Sequence, residues 1–342
     1  MRIGILTGGG DCPGLNPVIR AVVRKAINNG DEVVGIKYGW KGLLENDYEM
    51  LSAKSVSGIL PRGGTILGTS RTNPYKKANG PEFVETAFKE LGIDALIAIG
   101  GEDTLGVANK LYREKGLKIV GVPKTIDNDL GSTDFTFGFD TSVNIVMECI
   151  DRLHTTAESH NRIMVVEVMG RHAGWIATYA GIAGGADYIL IPEIPIDVEE
   201  VCMSIQKRHK RGKFFSIIVV AEGATFKDDK YYVQEKEVDE FGHVKLGGIG
   251  DTLGEIIKGK LNYDVRVTVL GHIQRGGSPS AFDRVLGTRF GVKAYDMVHA
   301  GKFGRMCALS GNKIIDVSID EAVKELKTVD PDLYDIARIF FS

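Results

Sequence analysis

Cysteine is scarce and scattered in this chain. Cys12, Cys149, Cys202 and Cys307 are far apart in sequence, which excludes a zinc spacing or a small disulfide framework as the organising device. A reducing cytoplasm is the expected home. No apolar run approaches the roughly 20 residues that a membrane-spanning helix needs. The opening Met1-Arg2-Ile3-Gly4-Ile5-Leu6 runs at once into glycines, unlike a secretory leader. Charge of neither sign dominates: 42 Lys and Arg face 45 Asp and Glu, a formal net charge of -3. Bulk attraction to nucleic acid or to an anionic membrane is thereby excluded, and neither is expected as a partner. Low-complexity tracts and short repeats are also missing.

Glycine, by contrast, is plentiful. The 342 residues include 43 glycines, gathered in tight clusters, which suits close backbone approach to a ligand. With 43% hydrophobic and 25% charged residues, the expectation is a globular protein of two domains or one large one.

Buried-strand runs recur along the chain, and each hands polar residues to its carboxyl end. Residues 2–6 read as a strand, followed by Thr7-Gly8-Gly9-Gly10-Asp11-Cys12-Pro13-Gly14, a helix from about residue 17 to 28 and a strand at 33–36. That order opens a doubly wound α/β fold. The glycine loop is a candidate phosphate cradle, because glycine backbones and a helix N-terminus offer N–H groups to anions. It fits neither GxGxxG, since Pro13 stands where glycine is needed, nor the P-loop, since Leu15 and Asn16 follow Gly14. A tight turn with helix-packing glycines is the alternative. A second glycine-rich loop, 61–73, ends near Arg71, which either neutralises phosphate or is an ordinary surface residue. The strand at 95–99 delivers Gly100-Gly101-Glu102-Asp103-Thr104 before a helix to about 114; Asp103 there is a site carboxylate or a helix cap.

The stretch at 118–129 is densest in chemistry. A buried run ends on Pro123, and Lys124, Thr125, Asp127 and Asp129 follow within six residues. In open α/β sheets the carboxyl ends of strands face the ligand crevice. One carboxylate there can take a proton from a substrate alcohol and a second can help hold a cation. A solvated turn is the competing account. Further on, Asp140 reads as the N-cap of a helix to about 158. Arg162 opens the strand 163–168, which delivers Met169, Gly170 and Arg171 ahead of a helix at 173–183. The strand 216–221 delivers Glu222. The polar stretch 225–247 reads as an excursion from the core, with a helix at 250–258 after it. Arg266 begins a strand that hands over His272 and Arg275. A helix at 281–299, a strand near 313–317 and two short helical segments complete the chain. Four arginines and a histidine suit a doubly anionic phosphate ester, and carboxylates beside an ammonium suit phosphoryl transfer.

The motifs Gly-Gly-Asp-x-Pro-Gly at 9–14, Gly-Gly-Glu-Asp-Thr at 100–104, Pro-Lys-Thr-Ile-Asp-Asn-Asp at 123–129, Met-Gly-Arg at 169–171 and Gly-His-Ile-Gln-Arg-Gly-Gly at 271–277 resemble those of the 6-phosphofructokinase family, in order over nearly the whole chain. The resemblance implies two Rossmann-like three-layer α/β lobes with mainly parallel sheets and an active site in the cleft between them. Residues 1–138 with about 275–324 would form the phosphoryl-donor lobe. Residues 139–274 with about 325–342 would form the fructose 6-phosphate lobe. Asp127 would be the base for the sugar 1-hydroxyl. Thr125, Asp127, Arg162, Met169, Gly170, Arg171, Glu222, Arg266, His272 and Arg275 would bind the sugar phosphate. Gly10 would touch the donor, Glu102 would serve a Mg2+ site, and Asp129 and Arg71 would assist the metal–phosphate cluster. Arg162 and Arg266 would act across a subunit boundary, implying a homodimer or homotetramer.

Two residues depart from the familiar ATP-using members. Asp103 stands where they have glycine, and Lys124 where the common bacterial ATP enzymes also have glycine. A carboxylate at 103 fills the room an α-phosphate needs and repels it by roughly 1 kcal/mol or more at ~4 Å. The Asp103–Lys124 pair resembles the pyrophosphate-dependent branch, with reversible transfer serving glycolysis or gluconeogenesis. Catalysis would then rest on Asp127, Lys124, Asp103 and Arg171. The rivals are an ATP-dependent 6-phosphofructokinase, a catalytically dead sugar-phosphate sensor, and a lipid or NAD kinase, which would lack the 272–277 motif. Arg20, Arg24, Lys54, Arg211 and Lys213 resemble parts of the bacterial effector pocket. His154 and Phe215 depart from its basic residues, so weak or absent effector control is expected.

Overall fold

The protein is described by a computed structural model covering residues 1–228 and 247–341. Most of the 225–247 excursion therefore lies outside the described residues. The chain divides into two compact units. Among the described residues the first holds Met1–Thr141 and Arg275–Leu326, and the second holds 142–228, 247–274 and 327–341.

The first unit is built on a seven-stranded sheet. Its strands are β1 (Arg2–Thr7), β2 (Glu32–Ile36), β3 (Tyr48–Leu51), β4 (Ala95–Gly100), β5 (Ile119–Pro123), β10 (Arg305–Ser310) and β11 (Lys313–Ser318), in spatial order β11-β10-β5-β4-β1-β2-β3. The five central strands pair in parallel, while β3 and β11 add antiparallel edges. Strands buried on both faces read as continuous apolar runs. The runs in β4 and β1 show why two helical layers are needed. Leu6, Ile36, Leu96, Ala98 and Ile119 pack with apolar residues of α2 (Trp40–Glu45), α3 (Gly80–Glu90) and α4 (Glu102–Lys115). The alternate residues Ile5, Ile97 and Ile99 are equally buried, since successive side chains point to opposite faces. On that side lie α1 (Leu15–Asn28) and α9 (Ala281–His299), which contact each other closely. A Cβ on Gly291 of α9 would meet the Val18 carbonyl of α1 at 2.6 Å. The short α10 (Ile319–Lys324) covers Leu105 and Met306.

The second unit has a four-stranded parallel sheet of β6 (Ile163–Val168), β7 (Tyr188–Leu190), β8 (Ser216–Ala221) and β9 (Val265–Val269), in the order β7-β8-β6-β9. Ile163, Val165, Ile218 and Val220 face α7 (Val198–Lys210) and α8 (Ile249–Leu261). The opposite face meets α6 (Trp175–Ala183), where Gly181 lets the Ile189 side chain approach. Helix α5 (Phe139–His160) leads into this unit, and α11 (Pro331–Arg338) packs back on it through the Tyr334 hydroxyl, which donates to Ile189 O at 2.8 Å.

The mixed α/β class with mainly parallel sheets is as the sequence predicts. Strands β3, β7 and β10 and helices α2 and α7 were not foreseen. The polar strand ends do not share one sheet edge: those of β1, β4 and β5 belong to the first sheet and those of β6, β8 and β9 to the second. Asp140 is not an N-cap. It lies in the first turn of α5, where its Oδ2 accepts from Ser280 Oγ at 2.5 Å. Among the described residues no helix is long and apolar enough to cross a membrane.

Candidate functional site

In the first unit, three loops converge at the carboxyl edge of β1, β4 and β5. The glycine loop after β1 is tied to the 61–73 loop: Gly9 N donates to Ser70 O at 3.0 Å, and Thr69 Oγ1 donates to Gly9 O at 2.6 Å. Arg71, exposed, follows Ser70 directly. The same loop is tied to α4, because the Thr104 side chain packs against both Gly8 and Gly100, leaving no room for a Cβ at either. Asp103 is therefore carried beside the loop by its neighbour in the first turn of α4. It is not the helix cap, a place held by Gly101 without any side-chain bond. Glu102 precedes it and is exposed.

Lys124 is buried, 4% exposed, and donates to Gly10 O. Burial holds its ammonium below the ordinary lysine value. Arg275 lies over Gly10, where a Cβ would collide with its guanidinium, and its Nη1 donates to Asp11 O at 3.2 Å. Cys12 under the same loop has its thiol pushed up to about 12 by burial, so it is an inert packing group. Thr125 Oγ1 accepts from Asp127 N at 3.0 Å. The Asp127 Oδ1 oxygen is buried with no hydrogen-bond partner. Burial raises Asp129 to about 7, and the charges of Asp127 and Glu102 add to the effect. Three carboxylates thus share one region, and a cation or a proton there would relieve their repulsion.

Among the described residues no group of three His, Cys, Asp or Glu side chains is close enough to chelate a metal alone. That arrangement still fits Mg2+, which keeps several waters and takes one or two carboxylates plus phosphate oxygens.

In the second unit, Met169, Gly170, Arg171 and Glu222 stand at the adjoining carboxyl ends of β6 and β8. Gly223 N donates to Gly170 O at 3.0 Å, and the Arg171 carbonyl leaves no room for a Cβ at Gly223. His272 is exposed on the 3₁₀ turn Gly271–Arg275 after β9. Arg162 and Arg266 lie at the opposite, amino ends of β6 and β9 and do not join that cluster. Both pair with Asp264, Arg162 Nε at 2.6 Å and Arg266 Nη1 at 3.1 Å. His154, which departs from the basic residues of an effector pocket, bonds Gly184 O through Nε2 at 2.9 Å and meets Phe215 edge-on.

Sequence reasoning missed the buried polar residues that hold these loops. Asn16, fully buried, donates to Arg62 O at 2.9 Å and accepts from Ile66 N at 2.9 Å. Asn128, at φ 52°, accepts from Thr136 N at 3.0 Å, and Thr136 Oγ1 donates to Thr125 O at 2.7 Å. The positive φ is tolerated by asparagine, and its place inside the 123–129 motif was the one available signal.

Glycine loops, a buried lysine and crowded carboxylates at the edge of one parallel sheet, with an arginine-bearing loop at the edge of another, define an α/β phosphotransferase class. Residues 2–298 match the family Phosphofructokinase, and the chain belongs to that family. It is 57% identical to a pyrophosphate–fructose 6-phosphate 1-phosphotransferase of Streptomyces coelicolor, covering 100% of both chains. It is 53% identical to an ATP-dependent 6-phosphofructokinase of Corynebacterium efficiens, covering 100% of this chain and 99% of that one. The fold superimposes on a pyrophosphate-dependent phosphofructokinase of Nitrosospira multiformis with a TM-score of 0.86 at 22% identity, over 100% of this chain and 91% of that one.

Proposed function

We propose that this chain transfers a phosphoryl group from pyrophosphate to the 1-hydroxyl of fructose 6-phosphate, yielding phosphate and fructose 1,6-bisphosphate. The carrying observation is Asp103 in the first turn of α4 beside a glycine loop that Lys124 reaches from below. A carboxylate disfavours the α-phosphate of a nucleotide, while pyrophosphate ends before that point. Lys124 supplies positive charge where the transferring group would sit, with Gly10 and Arg71 beside it. Asp127, with one oxygen unpartnered, accepts the proton of the sugar hydroxyl. Thr125 fixes the turn that aims it. Met169, Gly170, Arg171, Glu222, His272 and Arg275 hold the sugar phosphate, joined by Arg162 and Arg266 from a neighbouring subunit of a homodimer or homotetramer. Glu102, with Asp129, would hold Mg2+, which when bound shields the charge of the phosphoryl donor.

The second reading is an ATP-dependent enzyme, favoured by the relatives bearing that name at 52–53% identity. Steady-state assays with fructose 6-phosphate and magnesium, supplied with either pyrophosphate or ATP, separate the two. Turnover with pyrophosphate at least about tenfold more efficient, a difference of ~1.4 kcal/mol in transition-state binding, is expected. Preference for ATP would reverse the choice of donor. No turnover with either would favour a sugar-phosphate sensor.

A further inference from the structure

Gln274 is fully buried, 0% exposed, within the turn that carries His272. Its Oε1 accepts from Met169 N at 3.2 Å, and its Nε2 donates to Gly271 O at 3.1 Å. The last backbone bond between the two segments runs from Leu270 N to Glu167 O at 3.0 Å. Beyond it the chains after β6 and β9 leave the ladder, and the Gln274 amide spans the gap. Its neighbours His272 and Ile273 are exposed, Ile273 at 64%. One inward amide therefore anchors a turn whose His272 and Ile273 side chains face outward.

We propose that Gln274 is a positioning residue for the sugar phosphate, setting His272 against the Met169-Gly170-Arg171 loop. The inference rests on the sugar-phosphate role proposed above for those residues. Gln274 itself is too deep to touch a ligand. Both of its bonds are needed, since an unpaired buried amide is costly. The loop after β8 is joined to the same Met169-Gly170-Arg171 segment through Gly223 N and Gly170 O. Three neighbouring loops thus share one register, and the glutamine side chain joins two of them.

The test uses the full chain and two variants. Gln274→Met keeps the volume and removes both bonds. It should raise KM for fructose 6-phosphate by about tenfold or more while leaving KM for pyrophosphate within about twofold. Calorimetric titration with fructose 6-phosphate alone should show the same loss. Gln274→Glu keeps the acceptor for Met169 N, but its new carboxyl donates to Gly271 O only when protonated. Its KM defect should therefore shrink, relative to wild type, as pH is lowered. This second variant decides the matter if Gln274→Met does not fold. Wild-type sugar affinity in a folded Gln274→Met, equal losses for both substrates, or no pH rescue in Gln274→Glu would each overturn the assignment. Should the wild type itself fail to bind fructose 6-phosphate, the proposed function falls and the Gln274 role falls with it. Should the wild type bind and the variant bind equally well, only the Gln274 role falls.

Discussion

In the proposed reading, the single side chain at position 103 separates two donors. Its location in the first turn of α4, beside a loop held by Thr104 packing, is a matter of backbone and does not depend on charge. Asp103→Gly should therefore leave the fold intact and open the space a nucleotide needs. ATP-dependent turnover should rise at least about tenfold, the equivalent of ~1.4 kcal/mol. A variant with unchanged ATP turnover would show that something other than this carboxylate rejects the nucleotide. Lys124 belongs to the same argument from the opposite sign. Burial makes its charge costly, and the Gly10 carbonyl offsets part of that cost. An incoming phosphate group would offset more, so the lysine is poised toward an anion.

At the scale of elements, the junction of α5 and α9 is sensitive to pH. Asp283 is fully buried, and its Oδ2 accepts from Thr141 N at 2.8 Å and Thr141 Oγ1 at 2.5 Å. Burial raises its carboxyl to about 6, with the nearby Asp140 charge pushing the same way and the Thr141 bonds opposing. Its folded value lies above the unfolded value of about 4, so the native state keeps a proton that the unfolded chain releases. Stability from this group is complete below about pH 4 and is lost as pH rises toward 6. Asp283→Asn removes that dependence while retaining an acceptor for Thr141. Melting temperatures at pH 4.5 and 7 should show the wild type's advantage over the variant shrinking at the higher pH. A difference that stays constant would mean that the carboxyl titrates normally.

For the whole molecule, the pairing of Arg162 and Arg266 with Asp264 at the amino ends of their strands has a consequence. Neither arginine belongs to the loop cluster of its own unit, and the role proposed for both is to serve a neighbouring subunit. Arg162→Ala and Asp127→Ser should each lose activity; loss of a general base alone typically costs about 10²–10⁴ in rate. Unfolding and refolding the two inactive variants together should restore part of the turnover, because some hybrid sites would contain neither substitution. Complete absence of recovery, with mixed oligomers confirmed by mass, would show that each chain completes its own site.

The order of strands, glycine loops and charged ends was legible from the sequence, because buried parallel strands are continuous apolar runs and their polar exits stand out against them. The family was legible for the same reason: its motifs are contiguous. The short edge strands β3 and β7 were not, since three or four residues carry little periodicity. Nor did spacing reveal Asn16, Asn128, Gln274 or Asp283. Each is a buried polar group whose meaning lies in its partner, and those partners stand up to 142 residues away along the chain. Local composition determined which residues could do chemistry. Tertiary structure alone decided which buried polar side chains hold them in place, because a buried hydrogen bond is satisfied in space and leaves no pattern in sequence.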